Sequence, residues 1–403
     1  MIDAADRLRE LDSRPEPWDV AIIGAGPAGA TLAALMATRG RRVILLDRQT
    51  FPRDKVCGGC LNRRGQLQLA ACGLDRALRQ AQPVELQRLH LRHALHHVDV
   101  CLEDMCAIAR DVFDAQLVSL AVEHGAQFLS GVRVRVVPDP QRHVLRTVEL
   151  LTTHDQPSGQ PSPLPVAIES RIVVAACGLT HHGTFADSEL SQVVRATSRI
   201  GLGARIRTTD AVCTEMSSRF APHALTMAIG RDGYVGAVRL TDGSLNLAAA
   251  ATPTALRTYG AEMWVRGTLR SVGLDMPEAA ELAWRGTAPL TRHCEHPVGH
   301  RLIAIGDAAG YVEPFTGEGM GWAIDSAIIA ADWVDRGLQA WTPALEQRCC
   351  EQLKLTLAKR QQACRLIAHL LSRPWAVRLS LATLAACPPL TRSLVRHFSS
   401  SAA

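Results

Sequence analysis

The chain has 403 residues, of which 47% are hydrophobic and 21% are charged, a composition that fits a globular protein with room for two connected domains. Its net charge of +5 is mild, and no Lys/Arg block with interleaved aromatic residues occurs, so nucleic-acid binding is not expected. No run of about 18 apolar residues is present and the start lacks an apolar signal, so we expect a cytoplasmic protein with free thiols.

The first predicted unit is a strand, a helix and a second strand. Residues 19–24 form a short apolar run that is typical of a buried parallel strand. Residues 28–39 have helical character and end at Gly40, and residues 43–46 form the next apolar run. The pattern predicts one βαβ unit.

A glycine motif lies at the turn between this strand and this helix. Gly24 permits the tight turn, Gly26 lets a pyrophosphate approach the backbone, and Gly29 lets the helix pack closely on the strand. Asp47 ends the second strand 18 residues after Gly29, where its carboxylate can accept hydrogen bonds from a ribose diol. Motif and context together predict a dinucleotide site at the helix N-terminus.

The region after the βαβ unit contains residues that could suggest a metal site. Cys57 and Cys60 form a C-x-x-C, but a zinc site would need a second pair. Residues 84–102 alternate like strands and carry four histidines, at positions 90, 93, 96 and 97, without acidic or cysteine partners at ligand spacing. No metal is therefore expected.

The remaining elements follow from apolar periodicity and turn residues. Helices are predicted at 62–72, 111–123, 253–272, 318–336 and through 343–398, and strands at 126–137, 144–151, 172–176 and 302–305, with antiparallel strands across 199–252. The low-complexity stretch 154–165 is interpreted as a solvent loop at a hairpin tip.

A second glycine-rich turn occurs almost 280 residues after the first. The sequence Gly306-Asp307-Ala308-Ala309-Gly310 follows an apolar strand and precedes a long helix. One nucleotide-binding turn could bind NAD or FAD, whereas two such turns so far apart indicate a long dinucleotide that is contacted at both ends.

Four segments together resemble a known superfamily: GAGPAGATLA, VILLDR, FPRDKVCGG and IGDAAGYVEPFTGEGMGWAIDSA. They look like the FAD-dependent superfamily of aromatic hydroxylases, flavin halogenases and geranylgeranyl reductases, and the FPRDKVCGG loop is most similar to the geranylgeranyl-reductase branch. The resemblance extends to about residue 340. It implies FAD as the cofactor and a Rossmann-type, glutathione-reductase-like FAD-binding domain.

The resemblance also implies roles for individual residues. Asp307 would hydrogen-bond the ribityl or pyrophosphate part of FAD, and the backbone of Gly317–Met320 would lie near the N1/O2 edge of the ring. Arg110 would approach FAD, although a plain surface arginine is the alternative. The full set of predicted cofactor residues is Gly24, Gly26, Pro27, Ala28, Gly29, Asp47, Arg48, Arg53, Lys55, Cys57, Gly58, Gly59, Arg110, Gly178, Gly306, Asp307, Gly317, Gly319 and Met320.

The loop that contains Cys57 carries the candidate catalytic residue. Arg53 and Lys55 would meet the phosphates of FAD or an anionic substrate, and Cys57 to Gly59 would pass close to the flavin ring. Cys57 is either a proton donor or substrate-positioning thiol, or only a small residue that fits a crowded loop.

The sequence departs from the family pattern at two places. Hydroxylases usually carry an Asp-Gly pair where this chain has Cys177-Gly178, which leaves NADPH or NADH open as the reductant. Flavin halogenases need a lysine downstream of the first loop and a W-x-W-x-I-P run. This chain has no lysine between Lys55 and Lys354 and no such run, so halogenation is disfavoured.

We therefore expect an α/β fold whose discontinuous FAD-binding domain comprises residues 1–80, 106–188 and 286–340. A mostly antiparallel substrate domain would comprise 81–105 and 189–285, followed by a helical segment at 341–403. The favoured activity is oxygen-dependent hydroxylation of an aromatic or polyketide-like apolar substrate, free or attached to a carrier or peptide. A reductase of C=C bonds in a prenyl or lipid substrate, and a non-catalytic FAD-binding assembly partner, are the alternatives.

The C-terminal helices have two interpretations. Residues 364–398 combine leucines, Ile367 and Trp375 with five arginines. Such helices can lie on an anionic membrane surface, as a peripheral contact, or they can pack as a lid over the substrate domain.

Overall fold

The computed structural model describes residues 16–94, 96–152, 166–179, 184–185, 189–207, 218–276, 282–313, 315, 317–371 and 373–386. Its strands are β1 Trp18–Ile23, β2 Val43–Asp47, β3 Cys60–Leu61, β4 Val84–His93, β5 His96–Ala107, β6 Gln127–Ser130, β7 Val132–Val136, β8 Arg146–Thr152, β9 Val166–Ala175, β10 Gln192–Val194, β11 Ile200–Ile206, β12 Ala224–Ile229, β13 Gly233–Arg239, β14 Leu245–Ala251, β15 Arg285–Pro289, β16 Arg292–Cys294, β17 Val298–Gly299, β18 Leu302–Ala304 and β19 Gly310–Tyr311. Its helices are α1 Pro27–Thr38, α2 Arg63–Ala71, α3 Asp75–Gln80, α4 Arg110–Glu123, α5 Pro253–Arg270, α6 Gly319–Gln339, α7 Pro343–Leu371 and α8 Pro374–Ala386.

The first sheet has the order β17-β18-β9-β1-β2-β6, and β18, β9, β1, β2 and β6 run parallel. Along β1, Val20 and Ile22 pack against the core that includes α1, α4 and α6. Ala21 and Ile23 face the opposite core, which includes side chains of β7 and β8. Both faces are buried, which explains why β1 and β2 are continuous apolar runs without alternation.

The second sheet has the order β15-β11-β14-β13-β12-β4-β5-β3 and is antiparallel except where β12 runs parallel to β4. Alternate residues separate its two faces. Val235 and Ala237 pack with Trp264 of α5, whereas Tyr234 belongs to the core on the other face. A small sheet of β10, β16 and β19 contributes further pairing.

The α/β class is confirmed, and most predicted elements exist with shifted ends. The helix predicted at 62–72 is α2, which begins after Asn62 because the Asn62 Oδ1 caps it by accepting from the Gly65 N–H at 3.1 Å. The strand predicted at 172–176 begins earlier, at Val166, and α3 was not predicted.

Two further predictions concern the C-terminal helices and the hairpin-tip loop. The helical character predicted through 343–398 is confirmed over its described part, where α7 ends at Leu371 and α8 starts at Pro374. The hairpin-tip loop at 154–165 lies outside the described residues. Strand β3, from the part predicted to belong to the FAD-binding domain, pairs with β5 in the second sheet. The domain boundaries stay a prediction.

None of the helices in the described ranges combines the length and the apolar content needed to cross a membrane.

Two helical glycines provide a test of how α1 packs on β1. A Cβ on Gly29 would lie 1.8 Å from the Gly24 carbonyl oxygen, whereas a Cβ on the exposed Gly267 of α5 meets nothing within 4 Å. Gly267→Ala should therefore stabilise the fold by about 0.5–1 kcal/mol. Gly29→Ala should destabilise it by about 1–3 kcal/mol because α1 must move away from the strand. Urea unfolding of the apoproteins measures both, and equal effects would contradict this account.

Candidate functional site

A cavity of about 1120 Å³ lies between the carboxyl ends of the first sheet and one face of the second sheet. Ligands of open α/β sheets bind at such strand ends. Every predicted cofactor residue except Gly29 lines this cavity, including residues more than 250 positions apart such as Gly26 and Asp307. The structure thus brings the two glycine turns and the FPRDKVCGG loop together, while their contacts with FAD stay predictions.

Of the two glycines in the turn between β1 and α1, the fold requires Gly24 but does not require Gly26. Gly24 has a φ of 107°, and a Cβ there would lie 2.3 Å from the Ala176 oxygen. Gly26, by contrast, has an extended backbone (φ −79°, ψ −173°) that any residue adopts, and a Cβ would meet only Arg53, at 3.6 Å. Its missing side chain therefore leaves space in the cavity, which suits a pyrophosphate at the N-terminus of α1.

Asp47 is held in place by the backbone around it. Its Oδ2 accepts from the Ala25 N–H at 2.8 Å and its Oδ1 accepts from the Gln49 N–H at 2.9 Å. The carboxylate is buried at the end of β2 and lines the cavity. Its position is the one in which a carboxylate can accept a ribose diol.

A buried charge cluster joins Asp47 to α4. Arg53 lies 3.5 Å from the Asp47 carboxylate and 3.2 Å from the carboxylate of Asp114, which is fully buried. Arg110 donates two hydrogen bonds of 2.9 Å to Asp114. The Arg53 Nε is buried without a hydrogen-bond partner among the described residues, and the Nη2 of the same guanidinium lies 3.6 Å from where a Cβ on Gly26 would be. A phosphate or ribose oxygen in the cavity would supply that partner.

Arg110 is not a surface residue, so that alternative is wrong. Its side chain is 11% exposed, lines the cavity and contacts the Cys57 thiol as well as Asp114. Burial lowers the pKa of Arg110, but Asp114 and Cys57 outweigh burial and raise it. The guanidinium is therefore a permanent positive charge beside the loop.

Lys55 and Asp307 bring opposite charges into the same part of the cavity. Burial lowers the pKa of the Lys55 ammonium and Arg53 lowers it further, while Asp307 raises it. Burial raises the pKa of Asp307, and Lys55 with two arginines acts in the opposite direction. The two groups attract each other, but burial outweighs that attraction, so the pKa of Lys55 is lowered and the pKa of Asp307 is raised.

The loop around Cys57 is fixed to the second sheet. The Asn246 Nδ2 of β14 donates to the Cys57 carbonyl at 3.0 Å, and the Ile108 N–H donates to the Gly59 carbonyl at 2.8 Å. Gly59 has a φ of 72°, and a Cβ there would lie 2.8 Å from the Ile108 oxygen. Cys57 and Cys60 are both free thiols, and burial raises the pKa of Cys60 so that it stays protonated.

The second glycine turn closes the opposite side of the cavity. Gly306 has a φ of 59°, and its N–H donates to the Ser326 hydroxyl at 2.8 Å. Gly317 has a φ of 75°, and a Cβ there would lie 2.8 Å from the Cys60 Cβ. This close contact places the start of α6, at Gly319 and Met320, beside the Cys57 loop. Free N–H groups at a helix start stabilise negative charge.

Cys177 occupies the position where hydroxylases carry an aspartate. Burial raises its pKa to about 12, so the thiol is neutral. Gly178 follows with a φ of 71°, and a Cβ there would lie 3.5 Å from the Lys55 Nζ.

Sequence reasoning missed several residues of the site. Asp114 lies four residues after Arg110, and this ion-pair spacing on a helix was a usable signal. Tyr311 directly follows the second glycine turn and is one of only three tyrosines in the chain. Tyr234 and Asn246 come from distant strands, and nothing in the sequence pairs them with the flavin motifs.

The chain matches known proteins over its FAD-binding part and over most of its length. Residues 17–177 match the family model described as FAD binding domain. The menaquinone reductase of Mycolicibacterium smegmatis is 25% identical over 82% of this chain and 80% of that protein. The kynurenine 3-monooxygenase of Salinispora arenicola is 26% identical over 77% of this chain and 71% of that protein.

Solved structures share the fold. A flavoprotein/dehydrogenase from Cytophaga hutchinsonii aligns with a TM-score of 0.75 at 16% identity, over 96% of this chain and 93% of that one. A halogenase in complex with phloroglucinol and FAD aligns with a TM-score of 0.67 at 15% identity, over 95% and 84%. These likenesses show the fold, and the match to the FAD-binding family model supports FAD as the cofactor.

Gly26 provides a test of cofactor binding that is separate from folding. Gly26→Val should lose FAD because the branched side chain enters the space for the pyrophosphate, while its backbone tolerates valine. The purified variant should be colourless, with an apoprotein unfolding midpoint near that of the wild type. Gly267→Val is the control that should retain FAD. Wild-type FAD content in Gly26→Val would show that the pyrophosphate lies elsewhere.

Proposed function

We propose that this FAD-binding protein is an oxygen-dependent monooxygenase that hydroxylates an aromatic substrate with an apolar substituent. The observation that carries the proposal is the composition of the cavity beyond the Cys57 loop. There the walls are mostly apolar or small, and the buried Tyr234 and the partly buried Tyr311 bring hydroxyl groups. Such a space accepts a phenol ring with an apolar chain, and its few polar groups orient the ring.

The face of the second sheet gives this part of the cavity its width. Leu225 and Met227 of β12, together with Ala248 and Ala250 of β14, line the cavity from alternate positions. Gly236 lies between them on β13, where a Cβ would come 3.0 Å from the Met227 sulfur. Because glycine and alanine have little or no side chain, they leave room in the cavity above the sheet. The larger apolar side chains of Leu225 and Met227 exclude water from it.

The two tyrosines differ in what surrounds them. Burial raises the pKa of Tyr311 well above the ordinary value, and the nearby Asp307, Cys57 and Tyr234 raise it further. Tyr234 packs edge-on to Phe315, with ring centroids 5.0 Å apart. Burial also raises the pKa of Tyr234. Both phenols therefore stay neutral near pH 7 and can donate to a substrate oxygen.

The chemistry of the reaction belongs to the cofactor. Reduced FAD with O₂ would supply the oxidation: one oxygen atom of O₂ is inserted into a ring C–H to give C–OH, and two electrons from the reduced flavin with two protons convert the other oxygen atom into water. The protein residues hold the ring in place and keep the cavity dry. Arg110 contributes positive charge beside the loop that the family resemblance places at the flavin.

A reductase is the second candidate, and the contact between Cys57 and Arg110 favours it. A thiol beside a permanent cation can donate a proton to carbon while the cofactor delivers hydride to the neighbouring carbon. The similarity to menaquinone reductases agrees with this candidate.

One experiment separates the two activities. The bound FAD is reduced chemically without oxygen, which removes any dependence on NADPH or NADH, and is mixed with nonylphenol, pentadecylresorcinol or menaquinone. We expect no product until oxygen is admitted, and then a hydroxylated phenol that carries ¹⁸O when labelled oxygen is used. Product formation before oxygen, with flavin reoxidised, would instead establish the reductase.

Two controls sharpen that experiment. Cys57→Ser should leave the oxygen-dependent rate within a few-fold, because hydroxylation needs no thiol. A large loss of oxygen-independent turnover in Cys57→Ser would support the reductase instead. A brominated product in the presence of bromide would contradict both candidates.

The tyrosines provide a test of substrate orientation. Tyr311→Phe should raise the KM for the phenol about three- to tenfold, because one neutral hydrogen bond is lost in a buried site. Tyr259→Phe is the matched control, since Tyr259 is 59% exposed on α5 and should change nothing. Steady-state oxygen consumption and product yield measure both variants. An unchanged KM in Tyr311→Phe would place the substrate hydroxyl away from Tyr311.

A further inference from the structure

The positive charge of the protein is concentrated at its C-terminal end. The chain has 44 basic and 39 acidic residues. Residues 352–403 contain eight of the lysines and arginines and no Asp or Glu, so residues 1–351 hold 36 basic against 39 acidic residues. The protein is therefore slightly acidic except for one strongly basic segment.

The described part of this segment covers the substrate side of the protein. Val377 and Leu381 of α8 are buried in the same core cluster as Leu225 and Met227, which line the cavity. Helix α8 contacts β4 and β5 in particular. One side of α8 is thus an apolar contact with the substrate sheet.

The other side of α8 is also apolar, although it faces outward. Trp375 and Leu379, one turn apart, are 64% and 61% exposed, and Ala382 and Ala386 continue the exposed stripe. Apart from Arg378 and Thr383, the exposed residues of α8 are apolar, and an exposed apolar stripe of this kind usually marks a contact with a partner. The outer side of α8 therefore needs a partner that is itself apolar.

Cations border this stripe. Arg378 lies one turn from Trp375 and is exposed, and Arg365 and Arg373 are exposed at the end of α7 and in the connection to α8. We call Trp375, Leu379, Arg365, Arg373 and Arg378 the basic apolar face. Indole and leucine side chains insert at the boundary between headgroups and acyl chains, while arginines reach the lipid phosphates.

We propose that the basic apolar face docks the protein on an anionic lipid surface. The absence of Asp and Glu from residue 352 onward removes repulsion from lipid phosphates, and the aromatic and aliphatic side chains match the acyl boundary. An acidic protein partner would pair with the arginines. It would not provide the apolar contact that the exposed Trp375 and Leu379 side chains need. The docked helix covers the cavity wall with its inner side, so apolar molecules held in the lipid lie next to the substrate domain.

The test uses the full chain with its FAD and measures co-sedimentation with vesicles. Vesicles of phosphatidylcholine alone are compared with vesicles that also contain phosphatidylglycerol. We expect binding to the anionic vesicles and at least about tenfold weaker binding to the neutral ones, because each arginine near the surface contributes about fivefold. Equal binding to both, or none, would overturn the proposal, as would binding to polyglutamate without binding to vesicles.

Two variants locate the surface. Trp375→Ala with Leu379→Ala should weaken binding to anionic vesicles at least about tenfold through lost apolar contact. Arg373→Gln with Arg378→Gln, which changes only exposed side chains, should reduce the difference between anionic and neutral vesicles. FAD content and circular dichroism should stay unchanged in both.

Helix α5 supplies the matched control. Its Tyr259 and Met263 are exposed to a similar extent, 59% and 63%, but Glu262 lies beside them and pairs with Arg266 at 3.4 Å. Tyr259→Ala with Met263→Ala should leave vesicle binding within twofold. A loss in this control equal to that of the α8 variant would overturn the assignment to α8.

Discussion

The buried carboxylate of Asp114 connects the parts of the site. It accepts from Arg110 on its own helix and lies 3.2 Å from Arg53, which in turn reaches Asp47 at the end of β2. The positive charges of the two arginines thus neutralise the negative charges of the two carboxylates at buried positions. Removing one member of such a cluster leaves an unpaired buried charge and costs about 3–5 kcal/mol. The loop that begins at Arg53 is therefore held in one position against the nucleotide turn.

This fixed loop connects the glycine turns at one end of the cavity to the second sheet at the other end. Its first residues belong to the charge cluster, and its last residues are bonded to the second sheet through Asn246 and Ile108. Cys57 is itself part of the second attachment through its carbonyl, and its thiol contacts Arg110. A displacement of the second sheet is therefore transmitted to the glycine turns through this short segment, which is anchored at both ends.

The cavity wall and the outer surface meet at the C-terminal helices. Helix α8 buries Val377 and Leu381 against the substrate sheet while Trp375 remains exposed. The lid interpretation and the membrane interpretation of these helices describe opposite sides of one helix, and the two are compatible.

The sequence by itself determined the α/β class, the βαβ unit and the two nucleotide turns, because these depend on local periodicity and on glycines at fixed spacings. It could not decide whether Arg110 was buried, since burial depends on Arg53 and Cys57 arriving from another segment. It also missed Tyr234, which reaches the cavity, and Asn246, which reaches the Cys57 loop, because both do so only when distant strands pair. Local backbone requirements are written in short motifs, whereas the substrate side of the cavity arises from side chains that only long-range packing brings together.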